Sequence, residues 1–347
     1  MDARENTLNC IHFNKPEYIP MCFAIITSCW DSYPKDFLIE QMASHKLLFP
    51  DFNESEFVIP EHPITVLAGK PYIDPWGCRW ETAIDGIMGV VTKHPLENWD
   101  DFENFSPPDP DKTTNWEPID WESKTPPAVF REELCSADIG HGHTFLKLTD
   151  IRGYQNIIFD MADEHPKLYG LIDMIEEFNA KLLCNYLKYF EVEAMGFAED
   201  LGMQNGPMLS PQYFRKYIKP SYQRLMAIAR KAGCIINMHS DGDIKSLVGD
   251  LTESGVDVIN LQDLVNGIDW IKDNLTGKVC VDLDIDRQMI TAQGTPEQID
   301  ALIREEVEKL GSKNGGLMMI HGLYPGVPLE NVKALMDAME RYSTFYS

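Results

Sequence analysis

Short apolar runs alternate with amphipathic segments through the later part of the chain. Runs such as 194–198 (AMGFA) and 316–320 (GLMMI) are typical of strands that are buried on both faces. Segments such as 296–310 place apolar side chains at helical spacing. The predicted strands are 144–148, 194–198, 234–238, 256–261, 278–283 and 316–320, and the predicted helices are 171–189, 211–232, 244–254, 268–274, 296–310 and 328–342.

This strand–helix order predicts a parallel sheet covered by helices. A closed (β/α)8 barrel, or TIM barrel, with an N-terminal extension is the simplest α/β architecture for it. An open doubly wound sheet is the alternative, which is disfavoured because no glycine-rich phosphate turn follows a predicted strand. Segment 19–26 is the candidate for an earlier strand, and the pattern does not locate another.

We interpret residues 1–347 as a single domain. Residues 1–127 would form the extension and the first barrel elements, and residues 128–347 the main strand–helix repeats. A proline-rich loop region at 106–127 separates the two. Ser210 and Thr295 each precede a proline at the first position of a predicted helix, which predicts both as N-caps.

Composition and charge narrow the classes of partner. The chain is 44% hydrophobic and 24% charged, as in ordinary globular proteins, and its net charge is −25. Such a surface repels phosphate backbones and anionic membranes, so neither nucleic acid nor a membrane is an expected partner. A polar N-terminus and the lack of a long apolar run argue against a signal peptide and a membrane span. Cysteines without a CxxC pair favour free thiols in a reducing cytoplasm over disulfides.

Imidazoles and carboxylates follow the predicted strands, at the end where parallel α/β folds place their chemistry. His239 and Asp241 follow one strand, and His321 follows the last. Two imidazoles and a carboxylate suit zinc and leave coordination positions open for a substrate. These three residues are therefore the candidate metal ligands. The alternatives are hydrogen-bonded histidines at a barrel rim and Asp241 as a helix cap.

Other polar and aromatic residues are candidates for substrate chemistry. Glu199 and Asp200 end a predicted strand and could act as a proton relay or orient the substrate; the alternative is one solvated acid and one turn cap. His141 and His143 precede the predicted strand 144–148, so we interpret both as structural. The candidate substrate-binding residues are Trp30, Trp76, Trp80 and Gln204, with packing in the core as the alternative for the tryptophans.

The chain resembles the uroporphyrinogen decarboxylase-like superfamily. The segments that carry the resemblance are 74–77 (DPWG), 94–96 (HPL), 107–110 (PPDP), 148–160 with its RGYQN, 199–202 (EDLG), 210–211 (SP), 239–242 (HSDG), 255–260 (GVDVIN) and 325–331 (PGVPLEN). The resemblance implies a (β/α)8 barrel, in agreement with the strand–helix pattern.

The superfamily has two branches that matter here. Decarboxylases of this kind carry an arginine-rich segment near the N-terminus that binds the carboxylates of the porphyrinogen. This chain has no arginine between Arg4 and Arg79. In the zinc- and corrinoid-dependent methyltransferase branch, thiol-methylating enzymes use a His-x-Cys pair and a second Cys. This chain has His239 and Asp241 at the first pair and His321 at the place of the second Cys.

The replacement of both sulfurs implies a different methyl donor. Oxygen and nitrogen ligands leave a metal a stronger Lewis acid, which suits an ether oxygen. The resemblance therefore implies a zinc-dependent O-demethylase component that passes methyl from a methyl ether, with aromatic ethers favoured, to the Co(I) of a corrinoid-binding protein. A methylcorrinoid-to-thiol methyltransferase, a decarboxylase and a non-catalytic barrel are the alternatives, and a homodimer is an open alternative to a monomer.

Overall fold

Parallel strands lie at the centre of each of the two units into which the chain divides. The computed structural model describes residues 1–123 and 133–347. Unit 1 consists of Met1–Gly69, Thr82–Met88 and Leu261–Ser347, and unit 2 consists of Lys70–Glu81 and Gly89–Asn260. The predicted boundary between residues 127 and 128 lies outside the described residues.

Unit 1 contains three parallel strands in the order β1-β12-β11. Their bounds are β1 (Met21–Ile25), β11 (Cys280–Asp284) and β12 (Leu317–Leu323). Its helices are α1 (Ala3–Ile11), α2 (Cys29–Ser32), α3 (Lys35–Ser44), α10 (Asp263–Asn266), α11 (Ile268–Asn274), α12 (Ile290–Gln293), α13 (Pro296–Leu310) and α14 (Leu329–Ser343), with a 3₁₀ turn at Ile64–Val66. Phe23 of β1 pairs in register with His321 of β12.

Unit 2 contains a second parallel set in the order β9-β6-β5. The parallel strands are β5 (Ser136–Asp138), β6 (Ala194–Ala198) and β9 (Ile235–Ser240), and β10 (Val258–Gln262) contains the division between the units. The antiparallel strands are β2 (Tyr72–Ile73), β3 (Arg79–Glu81) and β4 (Val90–Lys93) in one sheet, and β7 (Gly202–Met203) and β8 (Gly206–Pro207) in a hairpin. The helices are α4 (Phe145–Arg152), α5 (Tyr154–Ala162), α6 (Pro166–Tyr189), α7 (Pro211–Tyr213), α8 (Lys219–Lys231) and α9 (Val248–Ser254), with a 3₁₀ segment at Trp99–Asn104 and a π-helical turn at Phe214–Ile218.

Local sequence signals explain why the longer elements form where they do. Thr295 caps α13 in a reciprocal capping box with Gln298, and Ser210 accepts the backbone N–H of Tyr213. Both predicted N-caps are therefore confirmed. The observed bounds of β6, α11 and α13 coincide with the predicted segments 194–198, 268–274 and 296–310. The candidate strand 19–26 is also confirmed, as β1.

The predicted strand 144–148 is wrong. This segment lies in helix α4, and the strand of this repeat is β5, which ends at Asp138. Helix α4 is buried on nearly all sides, with Phe145, Leu148 and Ile151 fully buried. Polar residues such as Lys147 and Arg152 are buried as well, so the sequence does not separate an apolar face from a polar one. Without that separation, a short segment of a buried helix cannot be told from a strand.

Two predictions made from composition concern the thiols and the membrane. All eight cysteines are free, as predicted. Within residues 1–123 and 133–347, no helix combines the length and apolar character that a membrane span requires.

Candidate functional site

Polar side chains at the ends of three strands of unit 2 lie together. His141 follows β5, Asp200 follows β6, and His239 lies near the end of β9. Asp200 Oδ1 is 3.2 Å from His141 Nε2 and 3.4 Å from His239 Nε2. The three ligand atoms lie within 4.8 Å of one another. We call these three residues the His–Asp cluster. Asp241 lies at its edge, with Oδ1 3.8 Å from His239 Nε2.

Backbone hydrogen bonds between the loops after β6 and β9 hold the cluster in place. The N–H of Asp241 donates to Asp200 Oδ1 at 3.0 Å, so the backbone of one loop fixes the carboxylate of the other. The N–H of Gly202 donates to the carbonyl of Asp241 at 3.2 Å, and the N–H of Asp243 donates to the carbonyl of Met203 at 2.7 Å. The carboxylate of Asp200 is thus held in position by the backbone of the neighbouring loop before any ligand binds.

Two glycines permit this close approach. A Cβ at Gly242 would lie 2.2 Å from the carbonyl carbon of Gly202, and a Cβ at Gly202 would lie 2.5 Å from the carbonyl carbon of Gly242. Gly242 also has a φ of +80°, which side chains rarely tolerate. The glycine in the HSDG segment is therefore required by a contact that forms only in the folded chain.

Mutual charge attraction dominates the electrostatics of the cluster. Burial acts against the charge on His239, but its hydrogen bond to Asp200 and the charges of Asp241 and Asp200 raise its pKa to about 9. Burial likewise opposes the charge on His141, and Asp200 outweighs it and raises the pKa. Burial would raise the pKa of Asp200, but hydrogen bonds from both imidazoles hold it well below its usual value. An ionised carboxylate is thus shared by two imidazoles, an arrangement in which a divalent cation can replace their protons.

Asn260 contacts the second nitrogen of His239. Its Oδ1 forms a short hydrogen bond with His239 Nδ1, on the side of the ring opposite Asp200. Asn260 is 7% exposed and lies in β10, in which every residue is buried. The imidazole is therefore fixed at both nitrogens by groups on different strands.

Glu199 and Asp200, the predicted catalytic acids, have different surroundings. Glu199 is fully buried, and its Oε1 accepts the N–H groups of Thr144 at 2.9 Å and Leu146 at 2.8 Å. The Tyr222 hydroxyl donates to Oε2. Glu199 thereby supplies hydrogen bonds that the first turn of α4 cannot make within the helix. Of the two acids, Asp200 is the one that faces the imidazoles.

His321, the third predicted metal ligand, lies in unit 1, whereas His239 and Asp241 lie in unit 2. His321 is fully buried, and neither ring nitrogen has a hydrogen-bond partner of ordinary geometry among the described residues. Burial, and next the charge of Arg287, lower its pKa to about 3, so the ring is neutral. Its ring lies 5.3 Å from that of Phe23. A buried, neutral imidazole whose nitrogens make no hydrogen bond of ordinary geometry with the described residues fits a ligand role, and that role stays a prediction.

The predicted substrate-binding residues occupy packed or peripheral positions. Trp30, in unit 1, is 4% exposed and packs on Phe57 at 5.2 Å. In unit 2, Trp76 donates to Asn115 at 2.9 Å, and Trp80 donates to Asp74 at 3.0 Å. Gln204 is exposed at the turn between β7 and β8. The tryptophan contacts are those of core residues, and their contact with substrate stays a prediction.

His141 is the site residue that sequence reasoning set aside. The interpretation of His141 as structural followed from placing a strand at 144–148, which put the histidine at the wrong end of that strand. Because β5 ends at Asp138, His141 lies at the C-terminal end. The available signal was the Gly140-His141-Gly142 sequence, in which both glycines have positive φ and form a turn after a short strand. His143 remains structural in its contacts: it is fully buried against Phe197 and Tyr222.

The fold and the strand-end site define an α/β protein of the (β/α)8 barrel type, as predicted. A methyltransferase from Methanosarcina mazei has a similar structure, with a TM-score of 0.62 over 98% of both chains and 15% sequence identity. A family model described as uroporphyrinogen decarboxylase (URO-D) matches residues 146–342. This chain belongs to the uroporphyrinogen decarboxylase family.

Curated relatives of the chain carry the name uroporphyrinogen decarboxylase. A protein from Thermus thermophilus is 30% identical over 137 residues, 38% of this chain and 38% of the relative. A protein from Trichlorobacter lovleyi is 23% identical over 282 residues, 78% of this chain and 77% of the relative. The match to the Thermus relative thus spans little more than a third of its length. Family membership points to an enzyme, and the reaction itself is argued below.

Proposed function

We propose that this protein is a methyltransferase that removes the methyl group of a methyl ether and passes it to the Co(I) of a separate corrinoid protein. Methoxylated aromatic compounds are the favoured substrates. The methyl group leaves as the C–O bond breaks, its electron pair stays on oxygen, and the oxygen takes up a proton to give the free hydroxyl. The cobalt supplies the electron pair of the new Co–C bond.

The His–Asp cluster is the observation that carries this proposal. Its imidazole nitrogens and carboxylate oxygen converge within 4.8 Å, a donor set that fits zinc. His141, Asp200 and His239 would hold the ion, Asp241 is a further donor in the same unit, and His321 stays a predicted ligand from the sequence. Bound zinc would act as a Lewis acid at the ether oxygen.

The residues themselves divide the remaining work. Asp200 is ionised in its surroundings, so it accepts hydrogen bonds and orients the imidazoles rather than donating a proton. Glu199 has both carboxylate oxygens occupied and acts on the site by fixing the start of α4. Neither acid therefore donates the proton that the ether oxygen takes up, and we assign that proton to solvent. Asp200 keeps the role of orienting the imidazoles.

The main competing function is the decarboxylation named for the family. The curated relatives carry this name, which favours it. Against it, the chain has no arginine between Arg4 and Arg79 to bind the carboxylates of a porphyrinogen. A net charge of −25 also gives the protein no long-range attraction for a polyanionic substrate, although a local basic patch could bind one.

The test is an assay with both substrate classes on the same preparation. Purified protein is given a Co(I) corrinoid protein and a panel of methoxylated aromatics, and methyl-Co(III) is followed by its absorbance. We expect methyl-Co(III) and an equal amount of phenol with the wild type and none with His239→Ala. The control His12→Ala changes an exposed histidine of unit 1 and should match the wild type. Reaction only with a methylated amine or a thiol acceptor would show that the proposed substrate class is wrong. Decarboxylation of uroporphyrinogen would show that the protein has the competing function.

A further inference from the structure

His239 has one nitrogen directed into the His–Asp cluster and the other directed away from it. Nε2 faces Asp200 Oδ1 at 3.4 Å and Asp241 Oδ1 at 3.8 Å. Nδ1 faces Asn260 Oδ1 in a short hydrogen bond. A neutral imidazole binds a metal through the nitrogen that carries no proton. A hydrogen-bond partner that keeps the proton on Nδ1 therefore leaves Nε2 free to bind the metal.

An amide oxygen can only accept a hydrogen bond, so its contact with Nδ1 requires a proton there. A neutral imidazole carries a single proton, and with that proton on Nδ1 the Nε2 lone pair is left facing Asp200 and Asp241. In the zinc-free protein a second proton lies on Nε2, which donates to Asp200. A zinc ion at Nε2 would replace that proton, while Asn260 Oδ1 holds the remaining proton on Nδ1. The geometry is rigid because Asn260 is 7% exposed and every residue of β10 is buried.

We propose that Asn260 is a positioning residue that holds His239 in the Nδ1–H tautomer and so presents Nε2 as the metal-binding atom. This inference rests on the proposed function, because it concerns a ligand of the zinc ion in that proposal. Groups that hydrogen-bond the outer nitrogen of a histidine ligand typically change metal affinity by about 10–100-fold when they are removed.

Asn260→Ala and Asn260→Asp together test which atom of the amide acts. Alanine removes the acceptor, whereas a carboxylate keeps an acceptor at the same place and cannot donate. Zinc affinity is measured by competition with a chromophoric chelator. We expect Asn260→Ala to weaken zinc binding by about 10–100-fold and Asn260→Asp to stay within a few-fold of the wild type. The control Asn237→Ala changes another buried asparagine, 8% exposed on β9, and should leave zinc affinity unchanged.

A second measurement needs no enzymatic activity. Ring ¹⁵N shifts of the protein loaded with zinc report which nitrogen of His239 keeps its proton. We expect Nδ1–H in the wild type and Asn260→Asp, and loss of that preference in Asn260→Ala. Nε2–H in the wild type would overturn the inference, as would an Asn260→Ala affinity within two-fold of the wild type or an Asn260→Asp affinity as weak as that of Asn260→Ala.

The two proposals fail in different ways. A wild-type protein that binds no zinc would remove the metal from the proposed function and would overturn this inference with it. Tight zinc binding that is indifferent to Asn260 would remove the positioning role and leave the proposed function standing. If Asn260→Ala does not fold, Asn260→Leu, which fills the volume without an acceptor, takes its place in the same comparison.

Discussion

In unit 2, some residues near the His–Asp cluster stabilise the surrounding structure, whereas others contact the imidazoles directly. Glu199 and Asp200 are neighbours in the loop that follows β6, yet their side chains have different partners. Glu199 points to the helix layer and caps α4, whereas Asp200 points to the imidazoles. Gly242 shows a third role, since its missing side chain allows two loops to touch.

Glu199→Gln should lower stability without emptying the site. The change disturbs the carboxyl group that accepts hydrogen bonds from two backbone N–H groups and from Tyr222, which costs about 1–3 kcal/mol in the free energy of unfolding. Denaturant unfolding measures this, with the exposed Glu191→Gln as control. Zinc content should be unchanged in Glu199→Gln and strongly reduced in Asp200→Asn. Equal zinc in the two variants would contradict this division of roles.

Gly242→Ala should destabilise the protein by about 2–4 kcal/mol. The alanine would have to keep a positive φ, and its Cβ would displace the backbone of Gly202. Gly249→Ala is the matched control. Gly249 lies in α9, has no atom within 4 Å of an added Cβ, and should be neutral or gain up to about 1 kcal/mol from helix propensity. Urea unfolding of both variants checks the pair, and similar stabilities would show that the loops can separate at little cost.

At the scale of elements, helix α13 of unit 1 carries a buried acid toward the strand ends. Glu306 is fully buried, and neither carboxyl oxygen has a hydrogen-bond partner of ordinary geometry among the described residues. Burial, and next the charge of Asp263, raise the pKa of Glu306 well above its usual value. Burial raises the pKa of Asp263 too, but N–H groups of Leu264 and Asp286 donate to it, so Glu306 is the partner that keeps the proton.

This pair makes the stability of the fold depend on pH. Above the ordinary glutamate pKa of about 4.3, the unfolded chain releases a proton that folded Glu306 retains, so the free energy of unfolding falls as pH rises. Glu306→Gln removes this dependence. Relative to the wild type, the free energy of unfolding of the variant should rise by up to about 1.4 kcal/mol for each pH unit above the ordinary glutamate pKa. The rise ends at the pKa of Glu306 in the folded protein.

Urea unfolding at several values between pH 5 and pH 8 measures the difference. Glu305→Gln is the control, because Glu305 is half exposed, with 48% of its side chain accessible, and is paired with Lys309. A stability difference between Glu306→Gln and the wild type that stays constant across this range would show that Glu306 is ionised in the folded protein.

At the scale of the whole molecule, each unit brings a histidine near the end of a central strand. In unit 2 this is His239 on β9, and in unit 1 it is His321 on β12. His239 is engaged by Asp200 and Asn260, whereas neither nitrogen of His321 has a partner of ordinary geometry among the described residues. An unmet buried polar group of this kind is costly unless a ligand completes it.

Zinc should therefore stabilise the intact chain. At a free concentration near one hundred times Kd, the gain is about 2.7 kcal/mol, a rise in Tm of about 3–6 °C. Differential scanning fluorimetry with and without zinc should show this shift in the wild type and lose it in His239→Ala. His321→Ala tests the ligand predicted from sequence. A zinc shift in His321→Ala equal to that of the wild type would remove His321 from the ligand set.

The sequence by itself determined the repeated strand–helix order of the later part of the chain and the bounds of β6, α11 and α13. Buried strands and amphipathic helices differ in period, and caps such as Thr295 act within a few residues, so these signals are local. For the same reason, His239, Asp241 and Asp200 could be placed at strand ends without a structure. The resemblance added the family, which the model match to residues 146–342 confirms.

Only the tertiary structure decided where β5 ends, and with it the place of His141. Helix α4 is buried on nearly all sides and is capped by Glu199, 53 residues beyond Leu146 in the chain, so no local pattern marks it as a helix. The contacts of Asn260 with His239 and of Gly242 with Gly202 also join residues on different elements. Hydrophobic period fixes what each segment becomes, but which side chains meet depends on the register and approach of strands and loops that are distant in sequence.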